Sequence, residues 1–136
     1  MKTRLLCALC ALFPLSLLAA KVHKITPITT DKDIRIEVML SAEANESLSL
    51  DAVITHARNK AILCNHSGEF YFKNKVDTTV VWKIDQLTPE LWSPVNPALY
   101  DLEVKAGTET FHKRIGFRKF KMRDGVFYLN DKPIYL

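Results

Sequence analysis

From residue 34 onward apolar and polar positions alternate with a period of two. Ile34, Ile36 and Val38 are separated by Arg35 and Glu37, and Leu48, Leu50, Ala52 and Ile54 by Ser49, Asp51 and Val53. Phe70 and Phe72 flank Tyr71; Val80, Trp82 and Ile84 alternate with Val81 and Lys83, and Tyr100, Leu102 and Val104 with Asp101 and Glu103. Alternation of this kind predicts strands with one buried and one wet face. No window past residue 20 carries a helical stripe. Polar or glycine-bearing stretches predict turns at Thr29–Lys32, Ala44–Ser47, Arg58–Lys60, Asn65–Gly68 and Lys105–Glu109. Short strands punctuated in this way describe an all-β antiparallel sandwich.

The longest connection, Leu87 to Pro97, holds Pro89, Pro94 and Pro97. Each proline fixes its own φ, and Ser93 and Asn96, standing before two of them, are pushed towards extended conformations. A stiff segment here predicts the crossing from one sheet to the other that a Greek-key sandwich needs. Tyr100 opens the next strand two residues before the core position Leu102, the arrangement of a tyrosine corner, whose hydroxyl bonds backbone a few residues upstream. Beyond Gly107, Phe111 and Ile115 continue the pattern, Phe117 and Phe120 follow, and Arg123-Asp124-Gly125 and Asn130-Asp131 predict turns around Phe127 and Leu129. Ile134 to Leu136 reads as the start of a buried strand. An apolar strand without a partner predicts further chain downstream.

Residues 1–20 break the pattern. Lys2 and Arg4 precede an uncharged run from Leu5 to Leu18, and Ala19-Ala20 precede Lys21. This is the layout of a secretory signal peptide rather than of a membrane span, so the chain is expected to be exported, to the periplasm or the exterior, and to keep no membrane anchor after cleavage. Cleavage would remove Cys7 and Cys10, leaving Cys64 without an internal disulfide partner. It would also lower the net charge from +4 to +2, which gives no electrostatic reason to expect nucleic acid. The remaining composition, 48% hydrophobic and 25% charged over the whole chain, is that of one globular domain.

Candidate chemistry is sparse. Glycoside cleavage needs two carboxylates across one bond, about 5–5.5 Å apart in a retaining enzyme. The one Asn-Glu pair, Asn45-Glu46, falls in a predicted loop and reads as a solvated turn, as do Asp124 and Asp131. His23, His56, His66 and His112 lack ligand spacing, and Cys64 with His66 supplies only two ligands. No Gly-x-Ser-x-Gly elbow and no phosphate-cradling glycine loop occurs. Lys113, Arg114, Arg118, Lys119, Lys121 and Arg123 interleave with Phe117 and Phe120; on a period of two the aromatics point inward and the cations form a solvated face, so no nucleic acid is expected. Trp82 and Trp92 read as core or sheet-edge residues. The sequons Asn45-Glu46-Ser47 and Asn65-His66-Ser67 both fall in predicted loops. No catalytic residue, no cofactor and no metal site is assigned.

Three segments carry a resemblance. Trp92-Ser93-Pro94-Val95-Asn96-Pro97-Ala98-Leu99-Tyr100, Gly116-Phe117-Arg118 and Leu129-Asn130-Asp131-Lys132-Pro133-Ile134 resemble the end of the immunoglobulin-like sandwich of glycoside hydrolase family 2, the β-galactosidase, β-mannosidase and β-glucuronidase group. Asp131 stands where that family usually has glycine. After the signal peptide read at 1–20, the resemblance implies an immunoglobulin-like β-sandwich at 21–120, and at 121–136 a hairpin stub opening a (β/α)8 barrel whose two catalytic glutamates lie outside this chain. On that reading the chain is a sandwich fragment that packs against the barrel and scaffolds a glycosidase, and carbohydrate meets only the barrel. The alternative is a free-standing exported immunoglobulin-like binding module without catalysis.

Overall fold

The structure, a computed structural model, describes residues 20–134. The proposed leader, apart from Ala20, lies outside the described residues, as do Tyr135 and Leu136. Ten strands follow one another with no helix among the described residues: β1 (Lys21–Thr29), β2 (Ile34–Ala42), β3 (Glu46–His56), β4 (Ile62–Phe72), β5 (Val76–Ile84), β6 (Tyr100–Ala106), β7 (Glu109–Ile115), β8 (Phe120–Arg123), β9 (Val126–Leu129) and β10 (Lys132–Ile134).

The first seven form two sheets, ordered β1-β2-β5 and β4-β3-β6-β7, with every pairing antiparallel. This is an immunoglobulin-like sandwich in which the fourth strand pairs with the third rather than with the fifth. The period of two reappears as burial. Ile34, Ile36, Val38, Leu50, Ala52, Ile54 and Val104 are fully enclosed between the sheets, and their sequence neighbours face solvent. The proline-bearing connection does run from β5 in one sheet to β6 in the other, as expected.

Two features of local structure escape the sequence pattern for identifiable reasons. β1 has no period-two signature, because a bulge between Val22 and Lys24 shifts the register and leaves the buried residues Val22 and Ile25 three positions apart. Asn65–Gly68 is not a turn but the middle of β4, where Ser67 faces Asp51 and Gly68 faces Leu50 on β3. The β3–β4 connection is Ala57–Ala61, closed by the His56 N–H to the Ala61 carbonyl at 2.8 Å and the Lys60 N–H to the His56 carbonyl at 2.9 Å. The sequon at Asn65 therefore lies on a strand, whereas Asn45 does sit in a turn, at a φ of 63°.

The last three strands make a separate meander, ordered β10-β9-β8. Both of its turns have two residues at positive φ, Asp124 (53°) with Gly125 (77°) and Asn130 (52°) with Asp131 (69°). These are type I′ hairpin turns, whose twist matches that of the strands. Ile134 has a partner after all, pairing with Phe127 and standing half-buried.

Candidate functional site

The three motif segments, distant in sequence, meet where the sandwich joins the meander. Leu91 forms a parallel bridge with Phe117, and the Trp92 N–H donates to the Phe117 carbonyl at 2.7 Å. The connection then reverses tightly: Ser93 and Asn96 exchange N–H to carbonyl bonds at 3.0 and 3.1 Å, with Pro94 and Val95 at the tip. Asn96 is also tied by its amide to Glu90 at 3.3 Å. Tyr100 is the expected corner. Its buried hydroxyl accepts the Glu90 N–H at 2.8 Å, ten residues upstream. Its ring meets those of Phe117 and His56 edge-on at 5.4 and 5.1 Å. Removing that acceptor in Tyr100→Phe strands one backbone N–H, so we expect a loss of about 1 kcal/mol in denaturant unfolding and faster proteolysis within residues 87–97.

Each residue of Gly116-Phe117-Arg118 has a distinct task. A side chain at Gly116 would begin 3.3 Å from Trp92 Cβ, so glycine lets the indole lie against the backbone, and the Gly116 carbonyl accepts the Thr29 hydroxyl at 2.7 Å. Phe117 fills the core. Arg118 lies over the Trp92 ring, its guanidinium 5.4 Å from the centroid. Trp92 is thus half-buried against backbone with a cation over its ring. Asn130 completes the junction. Its N–H donates to the Lys119 carbonyl at 2.7 Å, its side-chain carbonyl accepts the Lys119 N–H at 2.9 Å, and its amide donates to the Trp92 carbonyl at 3.0 Å. One αL asparagine thereby pins the meander to the sandwich.

Asp131, the departure from the family pattern, has an electrostatic use here. Its carboxylate lies 3.1 Å from Lys119 Nζ and 3.5 Å from Lys121 Nζ. The hydrogen bond from Lys119, with the charges of both lysines, outweighs an opposing desolvation and holds the carboxyl below its ordinary value near 3.8. A pKa lowered on folding means that the contribution is full above the unfolded value and fades as pH falls through the lowered one. The meander's amides should therefore lose exchange protection as pH falls below the ordinary carboxyl value near 3.8, and Asp131→Asn, which keeps an αL-tolerant residue, should flatten that dependence.

Beside this junction lies an open groove of about 710 Å³ lined by Trp92, Pro94, Arg118, Phe120, Leu129, Pro133 and Ile134. Its lining among the described residues holds no carboxylate and no histidine. Its apolar character comes from one face of the meander, where Phe120 stacks on Phe127 at 5.4 Å and Met122 pairs with Phe127. Phe120, expected to point into the sandwich beside Phe117, is 55% exposed. Phe120 lies three residues from Phe117, an odd separation that alternation itself places on opposite faces, so only Phe117 enters the sandwich.

The other candidates do not assemble into a site. Glu46 is buried rather than solvated; it accepts the Glu43 N–H at 2.6 Å and caps the β2–β3 turn. Among the described residues no three His, Cys, Asp or Glu side chains come together as metal ligands. His66 lies against Trp82, and the Cys64 thiol is pushed up by burial, away from the thiolate that binds metals. The cations are dispersed among intramolecular partners: Arg114 on Asp101 at 2.7 Å, Arg118 on Trp92, Lys119 and Lys121 on Asp131, and Arg123 over Tyr128 at 4.8 Å. One cluster escapes sequence reading because it spans three strands. The Ser41 hydroxyl donates to Asp77 and meets His23 Nε2 at 2.7 Å. The serine sits between the other two groups, so its proton goes to the carboxylate, and histidine does not occupy the base position of a nucleophilic triad.

Comparison with known proteins agrees with this architecture. The sequence profile described as Glycosyl hydrolases family 2 matches residues 20–118. A β-galactosidase of Staphylococcus xylosus is 29% identical over 106 residues, which is 75% of this chain and 10% of that protein. A β-galactosidase of Actinobacillus pleuropneumoniae is 33% identical over 72 residues, 53% of this chain and 7% of that protein. Among solved structures, a glycosyl hydrolase family 2 member from Bacteroides cellulosilyticus matches with a TM-score of 0.65 at 21% identity, over 81% of this chain and 16% of that one. A β-glucuronidase of Parabacteroides merdae matches with a TM-score of 0.59 at 20% identity, over 85% of this chain and 16% of that one. At such identities the structural likeness speaks for the fold. The chain spans 7 to 10% of the length of these two curated relatives.

Proposed function

The chain belongs to glycosyl hydrolases family 2 as its β-sandwich domain, and we propose that it scaffolds an exported enzyme that hydrolyses O-glycosyl bonds, cleaving none itself. The observation that carries this reading is the junction. Trp92, Gly116, Phe117, Arg118 and Asn130 spend three sequence motifs on fixing one relation, that between the sandwich and the meander beyond it. The groove this creates is apolar and, among the described residues, lined by no carboxylate. It suits the seating of a protein domain rather than the breaking of a glycosidic bond, which needs two carboxyl groups. The leader-like residues 1–20 support export. Carbohydrate would be contacted by a catalytic barrel packed against this groove.

Two measurements test the proposal. The source transcript, read past codon 136, is expected to continue in frame into barrel strands that carry an Asn-Glu pair and a second glutamate; a stop codon with no barrel nearby overturns the scaffold. The purified 136-residue chain is expected to leave β-galactosides, β-mannosides and β-glucuronides intact, and hydrolysis of any of them overturns the division of labour.

A further inference from the structure

The fold treats the two asparagine sequons differently. Asn65-His66-Ser67 lies inside β4, with Asn65 opposite Val53 and Ser67 opposite Asp51 on β3. The Ser67 hydroxyl is committed to the Asp51 carboxylate. Asn45-Glu46-Ser47 instead spans the turn from β2 into β3. Its middle residue faces inward: Glu46 is 6% exposed, and its carboxylate accepts the Glu43 N–H. Asn45 and Ser47, on either side of it, are both exposed. The buried glutamate thus anchors the turn while the two residues that define an N-glycosylation acceptor stand out from it.

Across the sheet from this turn stands Tyr71. It is the strand partner of Ser47, it is 64% exposed, and its hydroxyl donates to Asn45 Oδ1 at 2.7 Å. That bond holds the amide by its oxygen and leaves Nδ2, the atom to which a sugar attaches, outside the contact. Tyrosine combines an apolar ring with a polar tip, a surface suited to the apolar face of a pyranose. The turn is also remote from the junction. β2 runs nine residues, about 30 Å, between Asn45's turn and the end of the sandwich where Thr29 meets Gly116.

We propose that Asn45 is the attachment site of an N-linked glycan, with Tyr71 as the platform for its first sugar. This rests on the proposed export of the chain, since such transfer acts on secreted proteins. Asn45 Nδ2 attacks the anomeric carbon of an oligosaccharide carried on a lipid diphosphate, bound by a separate oligosaccharyltransferase. A C–N bond forms, the bond from that carbon to the diphosphate oxygen breaks, and the lipid diphosphate leaves with the amide proton. No oxidant or reductant is consumed. The glycan rises from the end of the sandwich opposite the junction and leaves the groove clear.

Peptide mass spectrometry of the chain isolated from its source cells is expected to find a glycan on Asn45. An exported chain with Asn45 bare, or with a glycan on Asn65 alone, overturns the site. A chain still beginning at Met1 counts against export instead, and a second measurement then decides the site. The 136-residue chain is translated, behind a leader known to direct entry, into microsomes holding an oligosaccharyltransferase and its lipid-linked donor. The peptide containing Asn45 should gain a glycan that Asn45→Gln and Ser47→Ala abolish and Ser47→Thr keeps; an unmodified Asn45 in chains that have entered overturns the site. The glycan should raise the melting temperature by about 2–4 °C over the unglycosylated chain. In Tyr71→Ala, occupancy should persist and that rise vanish; an undiminished rise overturns the role of Tyr71.

Discussion

Phe117→Ala is expected to cost about 3–5 kcal/mol, the range for emptying a phenylalanine site in a packed core. Phe117 is the largest side chain with no exposed surface in the domain. It lies between the connection and β6, its ring edge-on to Tyr100 and its carbonyl holding Trp92. The cavity would open beneath the tyrosine corner, so the loss should extend beyond the missing ring contacts to the order of residues 87–97. Domains of this size are stable by only about 5–15 kcal/mol. The variant is therefore expected to unfold at much lower denaturant or to appear as a molten fraction at ambient temperature. Urea unfolding followed by tryptophan fluorescence reads this directly, since Trp82 and Trp92 report on the core and the junction. A loss under about 1.5 kcal/mol, the size of a volume-conserving core swap, would mean that Phe117 does not hold the two parts together.

The sandwich was legible wherever burial depends on alternation alone. β2, β3, β5 and β6 could be read from their periods, the corner from Tyr100, and the hairpin turns from Asp124-Gly125 and Asn130-Asp131, whose chemistry is local. β1 was not legible, because its bulge is defined only by the partner strand. Phe120 was misplaced because it stands an odd three residues from Phe117, a separation that a period of two puts on opposite faces. Glu46 looked like a solvated loop residue because a carboxylate that accepts a turn N–H leaves no trace in its own composition. The junction was legible as three motifs but not as a site. Nothing local says that Arg118 caps Trp92 or that Asn130 reaches the Trp92 carbonyl. The groove owes its shape to those contacts and was invisible for the same reason.

Gly68 shows how a contact between sheets can reverse a local rule, and it carries the second large prediction. Glycine inside a strand costs about 0.5–1 kcal/mol relative to alanine on backbone entropy, so propensity alone predicts that Gly68→Ala stabilises β4. The structure predicts the opposite. A Cβ there would lie 2.7 Å from Trp82 Nε1 and 3.0 Å from Cε2, on a buried indole that reaches across from the other sheet. Overpacking of this kind costs about 1–3 kcal/mol, which exceeds the entropic gain, so Gly68→Ala should destabilise. The cause is separable from β4 itself. In a Trp82→Phe background the smaller ring vacates the space beside residue 68, so the same substitution should cost less or become favourable. The four proteins form a double-mutant cycle, with an expected coupling well above the about 0.3–0.5 kcal/mol within which independent sites add. Additive losses would show that the glycine answers to the β4 backbone, whereas the expected coupling makes it the slot that Trp82 fills between the two sheets.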